Sequence, residues 1–186
     1  MCGIVGYVGS RQALDVVLEG LRRLEYRGYD SSGVAVLDGE LVVEKRAGRI
    51  ENLDKAIAAD HPGGITGSTG IGHTRWATHG PPTDRNAHPH LDGANAVAVI
   101  HNGIIENFAP LRAELEAAGV ELRSETDTEV VAHLMAAELS ALSSSGSAGA
   151  GGDLAEAMRR VCRRLAGAFT LVVQAAPTPD FTVGAS

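Results

Sequence analysis

The dipeptide Asp38-Gly39 lies between two β-rich runs of the sequence. Residues 33–37 and 40–45 are rich in Val and Leu, which suit a pleated strand. Asp-Gly between two such runs is a strong hairpin signal, because both residues accept the positive φ angles of a tight turn. The sequence therefore predicts a β-hairpin over residues 33–45.

Strand and helix patterns alternate in blocks along the rest of the chain. Leu14, Leu18 and Leu21 recur at helical spacing within a helix predicted over residues 11–25, with Ser10 as its N-cap. Further strands are predicted over residues 2–8, 70–77, 96–101, 168–174 and 181–185, and further helices over residues 51–59, 106–118, 128–139 and 153–165. Blocks of strands and helices in this order predict a layered α+β fold.

Small and polar residues mark the boundaries of several predicted elements. Thr126 or Asp127 is expected to cap the helix over residues 128–139, and Asp153 to cap the helix that it opens. The Ser/Gly/Ala stretch over residues 141–152 is predicted to be a flexible connection. Because the sequence stops as the last strand begins, we expect residues 1–186 to be one domain that is incomplete at its C-terminal end.

Composition excludes several classes of function. The 186 residues carry a net charge of −7, which argues against a nucleic-acid or anionic-membrane partner, since both attract basic surfaces. No apolar run is long enough to cross a membrane, and the N-terminus has no basic segment followed by an apolar one, as a secretory signal would. Two cysteines do not make a disulfide framework, so a reducing cytoplasm is the expected location.

The sequence begins MCGIVG, which places a thiol directly after the initiator methionine. If Met1 is removed, Cys2 carries a thiol and a free α-amine on one residue. The α-amine titrates near ~8, so a neutral fraction is available at neutral pH to take the thiol proton. This is an activated nucleophile that needs no catalytic histidine. The alternative from position alone is a buried structural cysteine at the start of a strand.

Six motifs occur together in one order: MCGIVG, LRRLEYRGYDSSG, GHTRWATHG, NAHPH, HNGIIEN and ETDTEV, between residues 1 and 130. Together they resemble the glutaminase domain of the glutamine:fructose-6-phosphate amidotransferases, in the class II glutamine amidotransferase family. The resemblance implies a four-layer αββα sandwich of the N-terminal-nucleophile hydrolase type. It also implies that L-glutamine is the substrate, that the Cys2 thiol attacks its side-chain amide, and that no cofactor takes part.

In complete members of that family, the ammonia passes through a channel to a sugar isomerase domain. That domain aminates fructose 6-phosphate to glucosamine 6-phosphate, and members often form homodimers through it. The isomerase domain is absent from this chain. The resemblance therefore implies that the chain carries only the glutaminase half-reaction, and that fructose 6-phosphate is a partner only of the longer protein.

The resemblance also assigns the chemistry of glutamine cleavage to particular residues. Cys2 is the nucleophile, and the Asn102 side chain with the Gly103 backbone N–H forms the oxyanion hole. Arg27 matches an arginine close to the nucleophile, where a cation favours thiolate. The alternative for Asn102 and Gly103 is a plain turn at a strand end, because Asn-Gly is a common turn pair.

Five further residues are expected to bind the glutamine backbone or cover it. Arg75 is the predicted clamp for the α-carboxylate, since a guanidinium meets a carboxylate bidentately. Asp127 is the predicted ligand of the α-ammonium group. Trp76, Thr78 and His79 resemble a loop that folds over bound glutamine. The alternatives are a solvated arginine for Arg75, a core residue for Trp76 and a helix cap for Asp127.

Three rival functions are weighed against this one. A metal site is conceivable from residues with suitable ligand chemistry, namely His79, His88, His90, His101, Asp84 and Asp92, but their spacing follows no known ligand motif. A second rival is a glutaminase that feeds another acceptor, as in the purine-biosynthetic phosphoribosyl amidotransferases and the asparagine synthetases. A third is an inactive fragment or interaction module. The particular residues in the six motifs favour the hexosamine-forming family, and we predict no metal.

Overall fold

The computed structural model describes residues 2–77, 80–145, 150–176, 178 and 182–186. Within these ranges the strands are β1 (Gly3–Val8), β2 (Ser31–Asp38), β3 (Glu40–Ala47), β4 (Thr69–Arg75), β5 (His90–Leu91), β6 (Val97–Ile105), β7 (Gly167–Ala175) and β8 (Thr182–Ala185). The α-helices are α1 (Ala13–Leu24), α2 (Ile50–Asp60), α3 (Phe108–Ala117), α4 (Thr128–Ser145) and α5 (Ala150–Cys162). Short 3₁₀ turns occupy Glu25–Arg27 and Asp84–Asn86.

The described strands form two antiparallel sheets of four strands each, in the orders β1-β4-β2-β3 and β5-β6-β7-β8. The predicted hairpin is confirmed. Strands β2 and β3 pair from Asp38 with Glu40 onwards, and Gly39 at the turn has a φ of 74°. An Asp-Gly turn fits because glycine takes this positive φ without a steric penalty.

Four layers result from the way in which the two sheets and the helices pack. α1 and α2 bury their apolar faces on the first sheet, and α3, α4 and α5 cover the second. A smaller core lies between the sheets and includes Ala35, Ile71, Ala98 and Ile100. The predicted αββα sandwich is therefore confirmed.

Strand alternation decides which side chains enter the space between the sheets. Ile71 of β4 and Ile100 of β6 both lie there. Because side chains alternate along a strand, His73 and Arg75 share the face of Ile71, and Asn102 shares the face of Ile100. Polar residues of both sheets are thus directed into one interlayer space beyond its apolar part.

Some predicted boundaries are wrong. Ser10 does not cap α1; the residue before that helix is Gln12, whose side chain instead accepts the Gly67 N–H at 3.1 Å. α4 continues to residue 145, into the stretch predicted to be flexible, because Leu142 is buried in the helix-covered core. α5 begins before Asp153, which lies in its first turn. The rest of the predicted connection, residues 146–149, lies outside the described residues.

Strand β6 runs four residues past its predicted end at residue 101, and the two-residue strand β5 was not predicted. Asn102 and Gly103 continue the pairing with β7, opposite Thr170 and Phe169. The turn interpretation of Asn-Gly is therefore wrong. Among the described helices, none is both long and apolar enough to cross a membrane.

Candidate active site

One cavity of about 600 Å³ opens where Cys2 meets the ends of β4 and β6. Every sequence-predicted site residue that the structure describes lines it: Cys2, Arg27, Arg75, Trp76, Asn102, Gly103 and Asp127. Thr78 and His79, the other two predicted site residues, lie outside the described residues. Residues separated by up to 125 positions in the chain thus meet at one cavity.

The Cys2 sulfur is held at the cavity by the backbone of the neighbouring strand. β1 pairs with β4 so that Gly3 lies opposite Thr74, which brings Cys2 to the end of β4. The Trp76 N–H donates a hydrogen bond to Cys2 Sγ at 3.2 Å. The side chain is only partly buried, so the thiol is accessible from the cavity.

The Asn102 amide lies next to the main chain of the cysteine. Its Nδ2 donates to the Cys2 carbonyl oxygen at 3.5 Å, and its Oδ1 lies 2.8 Å from His73 Nε2. The donor end of the amide is thereby on the side of the nucleophile. An N–H donor close to the nucleophilic residue is what a developing oxyanion would need.

Gly103 adopts a conformation that only glycine accepts at this place. Its φ is 126°, and a Cβ built on it would lie 2.2 Å from the Ala168 carbonyl oxygen on β7. Real side chains do not approach a backbone oxygen so closely. The absence of a side chain here lets β6 and β7 stay paired while the Gly103 backbone lines the cavity.

Arg75 closes the end of β4 and is almost wholly buried, with 4% of its surface exposed. Its Nη1 and Nη2 point towards the carbonyl oxygens of Pro81 and Gly80, each at 3.4 Å. The alternative of a solvated surface arginine is therefore wrong. A guanidinium that is shielded from water binds a carboxylate more strongly than an exposed one.

Trp76 lies at the rim of the cavity with 54% of its surface exposed, so it is not a core residue. Its indole packs over Gly28, where a Cβ would lie 2.9 Å from the ring. Asp30 binds the backbone on both sides of Trp76. The Asp30 N–H donates to the Arg75 carbonyl oxygen at 2.7 Å, and the Asp30 carboxylate accepts a hydrogen bond from the Ala77 N–H. The tryptophan is thus presented on a fixed backbone with its ring partly free of the protein.

Asp127 directly precedes α4, as a capping residue would, and its carboxylate forms hydrogen bonds with β6 and with the Thr128 side chain. It is 5% exposed, and its Oδ2 accepts the Ile105 N–H of β6 at 3.0 Å. Its Oδ1 accepts from the Thr128 hydroxyl at 3.4 Å. The carboxylate therefore joins the start of α4 to β6 while it lines the cavity, opposite in charge to Arg75.

A histidine cluster, defined as His73, His88, His90 and His101, is buried next to this site, and two of its members, His88 and His101, line the cavity. The rings of His73 and His88 lie 4.2 Å apart, and those of His88 and His90 lie 4.7 Å apart. The Thr128 hydroxyl lies 3.0 Å from both His88 Nε2 and His101 Nδ1. The described residues include no group of three His, Cys, Asp or Glu side chains arranged to hold a metal ion.

Burial favours the neutral form of three of these imidazoles, those of His73, His88 and His90. Loss of water contact lowers the pKa of His73 to about 4, against the opposing effect of its bond to Asn102. Burial also lowers the pKa values of His88 and His90 to well below their ordinary range. Each of these three rings therefore carries one N–H near neutral pH, and its partners depend on which nitrogen holds that hydrogen.

Lys45 of β3 holds the loop that carries His88. Its Nζ donates to the carbonyl oxygens of Ala87 at 2.8 Å and Pro89 at 3.0 Å, on both sides of that histidine. Burial lowers the pKa of Lys45 to about 8, with partial compensation from Glu129. The ammonium group thus anchors the backbone of the histidine cluster to the first sheet.

Acid is expected to destabilise the fold through the histidine cluster. In the unfolded chain His73 becomes protonated below about pH 6.5, whereas in the folded chain it stays neutral until about pH 4. Between these values the unfolded state binds more protons, so the free energy of unfolding decreases as the pH is lowered. His73 alone should lower the free energy of unfolding by ~2 kcal/mol between pH 7.5 and pH 5. Urea unfolding at these two pH values measures the change, and H73L should show a smaller fall. A constant free energy of unfolding across this range would contradict the prediction.

Four cavity residues were not predicted as part of the glutamine site: His88, His101, Ile104 and Thr126. Each lies within or beside a motif that was singled out, so proximity in sequence was an available signal. His88 and His101 were considered only as possible metal ligands. Both are buried and lie within hydrogen-bond distance of the Thr128 hydroxyl, so they join this part of the cavity wall to the start of α4.

The sequence of this chain matches those of known glutamine amidotransferases. Residues 73–184 match a family described as glutamine amidotransferase domain. The whole chain is 67% identical to part of a protein of Streptomyces coelicolor named glutamine–fructose-6-phosphate aminotransferase (isomerizing), and 56% identical to part of a protein of that name from Mycolicibacterium smegmatis. The chain spans 28% and 29% of the lengths of these two relatives.

Two solved structures share the fold. A glutamine phosphoribosylpyrophosphate amidotransferase of B. subtilis, complexed with ADP and GMP, matches with a TM-score of 0.71 and 26% identity over 95% of this chain and 35% of that chain. A structure described as the allosteric regulatory enzyme of purine biosynthesis matches with a TM-score of 0.73 and 26% identity, over 95% of this chain and 36% of that one.

Proposed function

This chain belongs to the glutamine amidotransferase family, and on that premise we propose that it hydrolyses the side-chain amide of L-glutamine to glutamate and ammonia. The observation that carries the proposal is the single cavity that unites Cys2 with Asn102, Gly103, Arg75 and Asp127. These residues offer a nucleophile, donors for an oxyanion, a cation and an anion. An amino-acid amide needs that combination, and residues 1–186 would form the domain that supplies it.

Substrate binding would rest on the two buried charges. Arg75 would donate hydrogen bonds to the α-carboxylate of glutamine, and Asp127 would accept hydrogen bonds from its α-ammonium group. Each side chain is buried and opposite in charge to the group that it would bind. With both ends of the amino acid held, the side-chain amide extends towards Cys2. Trp76, already at the rim and partly exposed, would close over the ligand together with Thr78 and His79.

The reaction would begin once Met1 has been removed. The neutral α-amine of Cys2 takes the thiol proton, and the sulfur attacks the amide carbon, so that a C–S bond forms and the carbonyl electrons move onto oxygen. The Asn102 Nδ2 and the Gly103 N–H stabilise that oxyanion. The oxyanion collapses, the C–N bond breaks, and the nitrogen leaves as ammonia after taking the proton from the α-ammonium of Cys2.

The second half of the reaction would release the product. Water, activated by the same α-amine, attacks the resulting thioester, the C–S bond breaks, and glutamate leaves with the thiol restored. Arg27 lies on the same cavity and would favour the thiolate form of Cys2 through its charge.

The destination of the ammonia lies outside this chain. We propose fructose 6-phosphate as the acceptor, because the chain is 67% identical to a relative named for that sugar and only 26% identical to the phosphoribosylpyrophosphate amidotransferase. The acceptor site and any homodimer contact would belong to the rest of a longer protein. A reducing, cytoplasmic setting suits a nucleophilic thiol.

A direct test combines turnover with labelling of the nucleophile. The chain, incubated with L-glutamine, is expected to release glutamate and ammonia in equal amounts, and to be inactive on D-glutamine and L-asparagine. A diazo-ketone analogue of glutamine should add once, and peptide mapping should place the adduct on Cys2 of a chain that has lost Met1. An adduct on Cys162 or equal turnover of asparagine would contradict the proposal.

A further inference from the structure

We propose that His73 is a positioning residue that holds the Asn102 amide with its nitrogen towards the nucleophile. The inference rests on the glutaminase function proposed above. His73 does not line the cavity, so any effect on the reaction must pass through another residue. The residue it touches is the one whose side chain would stabilise the oxyanion.

The orientation of the Asn102 amide decides whether it helps or opposes the reaction. An asparagine amide has one end that donates and one that accepts, and the two ends have nearly the same shape. With Nδ2 towards Cys2, the amide donates to a developing negative charge. With Oδ1 there, it would place a second oxygen dipole against that charge, so the amide must be prevented from turning over.

Two contacts favour the same orientation. Oδ1 of Asn102 lies 2.8 Å from His73 Nε2, and Nδ2 lies 3.5 Å from the Cys2 carbonyl oxygen. If the amide turned over, Oδ1 would face the Cys2 carbonyl oxygen, which has nothing to donate. The shorter of the two contacts is the one to His73, so this bond contributes most to the orientation.

The His73 ring has the protonation that this bond needs. The side chain is 1% exposed, and burial lowers its pKa to about 4, so it is neutral and has one ring N–H. Nδ1 is buried and has no hydrogen-bond partner among the described residues, although the His101 backbone interacts with the ring and raises its pKa. A hydrogen on Nε2 would have an acceptor 2.8 Å away in Asn102 Oδ1. The Nε2–H tautomer is therefore favoured, and the His88 ring 4.2 Å away restricts rotation of the imidazole.

The two residues come from different sheets. His73 lies on β4 and Asn102 on β6, each in the interior of its strand, and both face the space between the sheets. A donor held between two strands loses little freedom when the oxyanion forms, so it needs no reorganisation during the reaction. The position of the Asn102 amide therefore depends on how the two sheets pack against each other.

Three variants separate positioning from general damage. H73L removes the ring N–H at similar bulk, H73Q restores an N–H donor at comparable reach, and H90L removes another buried imidazole that does not line the cavity. H73L is expected to lower kcat for glutamine by about 10- to 100-fold, less than the roughly 100- to 1,000-fold cost of removing an oxyanion donor itself, because the Asn102 amide is still present. Its KM for glutamine and its inhibition constant for L-glutamate should change less than threefold, because neither depends on the oxyanion.

The other two variants decide between mechanisms. The kcat of H73Q should be at least fivefold higher than that of H73L. The kcat of H90L should stay within threefold of the parent value. An equal loss of kcat in H90L, no recovery in H73Q, or a rise in KM that accounts for the H73L defect would each overturn the positioning role.

A second measurement does not depend on turnover. In protein carrying ¹⁵N-labelled histidine, the ring nitrogen shifts of His73 should report the Nε2–H tautomer, and the Asn102 side-chain amide signals should shift in H73L. An Nδ1–H tautomer, or Asn102 signals unchanged in H73L, would overturn the inference even if glutamine is hydrolysed. If the parent chain has the Nε2–H tautomer but does not hydrolyse glutamine, the proposed function is rejected instead.

Discussion

Replacing Cys2 with alanine is expected to remove glutamine hydrolysis, with a fall in kcat of about 10⁴-fold or more, since the loss of a covalent nucleophile has effects of this size. Alanine is small enough for Met1 still to be removed, so the α-amine remains. The charges that would hold the substrate, Arg75 and Asp127, are untouched. Ammonia release over hours measures the loss, and calorimetry should still detect glutamine binding.

The fold should survive this change. Cys2 Sγ contacts the structure through the Trp76 N–H, and its side chain is partly exposed, so the melting temperature should fall by no more than a few degrees. C162A is the matched control: Cys162 is also partly buried, but it ends α5 on the far side of the second sheet. C162A should keep the parent turnover. Turnover above about one hundredth of the parent in C2A would refute the role of Cys2.

Replacing Gly103 with alanine is expected to damage stability and activity together. The φ of 126° is strained for any residue with a Cβ, and that Cβ would lie 2.2 Å from the Ala168 carbonyl oxygen, which cannot move without opening the β6–β7 pairing. We expect a loss of ~3 kcal/mol or more in the free energy of unfolding, which for this size lowers the melting temperature by about 6–12 °C. Because the Gly103 N–H would be displaced from the oxyanion, kcat should fall by about 100-fold or more.

Gly39 provides the control for backbone strain alone. Its φ is 74° in the hairpin turn, and a Cβ there would meet nothing within 4 Å. G39A should therefore cost about 1 kcal/mol and leave kcat unchanged. Thermal unfolding and glutamine turnover of both variants test the comparison. Equal melting temperatures for G103A and G39A would show that the contact with Ala168 does not constrain this position.

Local patterns predicted much of the first sheet and most of the site. The hairpin around Gly39 was predictable because its turn depends on two adjacent residues and their flanking strands. The site residues were predictable because six short motifs carry them, although their roles remain predictions. The errors lie where burial overrides local preference: Leu142 extends α4 through a stretch of helix-weak residues, and pairing with β7 keeps Asn102 and Gly103 in a strand.

The amino-acid sequence alone is enough to predict which residues can carry the chemistry and which of them share a face of a strand. Strand alternation already places His73 with Ile71, and Asn102 with Ile100, because neighbouring side chains point to opposite faces. No local pattern predicts that these two faces oppose each other, at a register that leaves His73 Nε2 2.8 Å from Asn102 Oδ1. That distance depends on how two sheets pack through side chains far apart in the chain, and a one-residue shift in either sheet would abolish it.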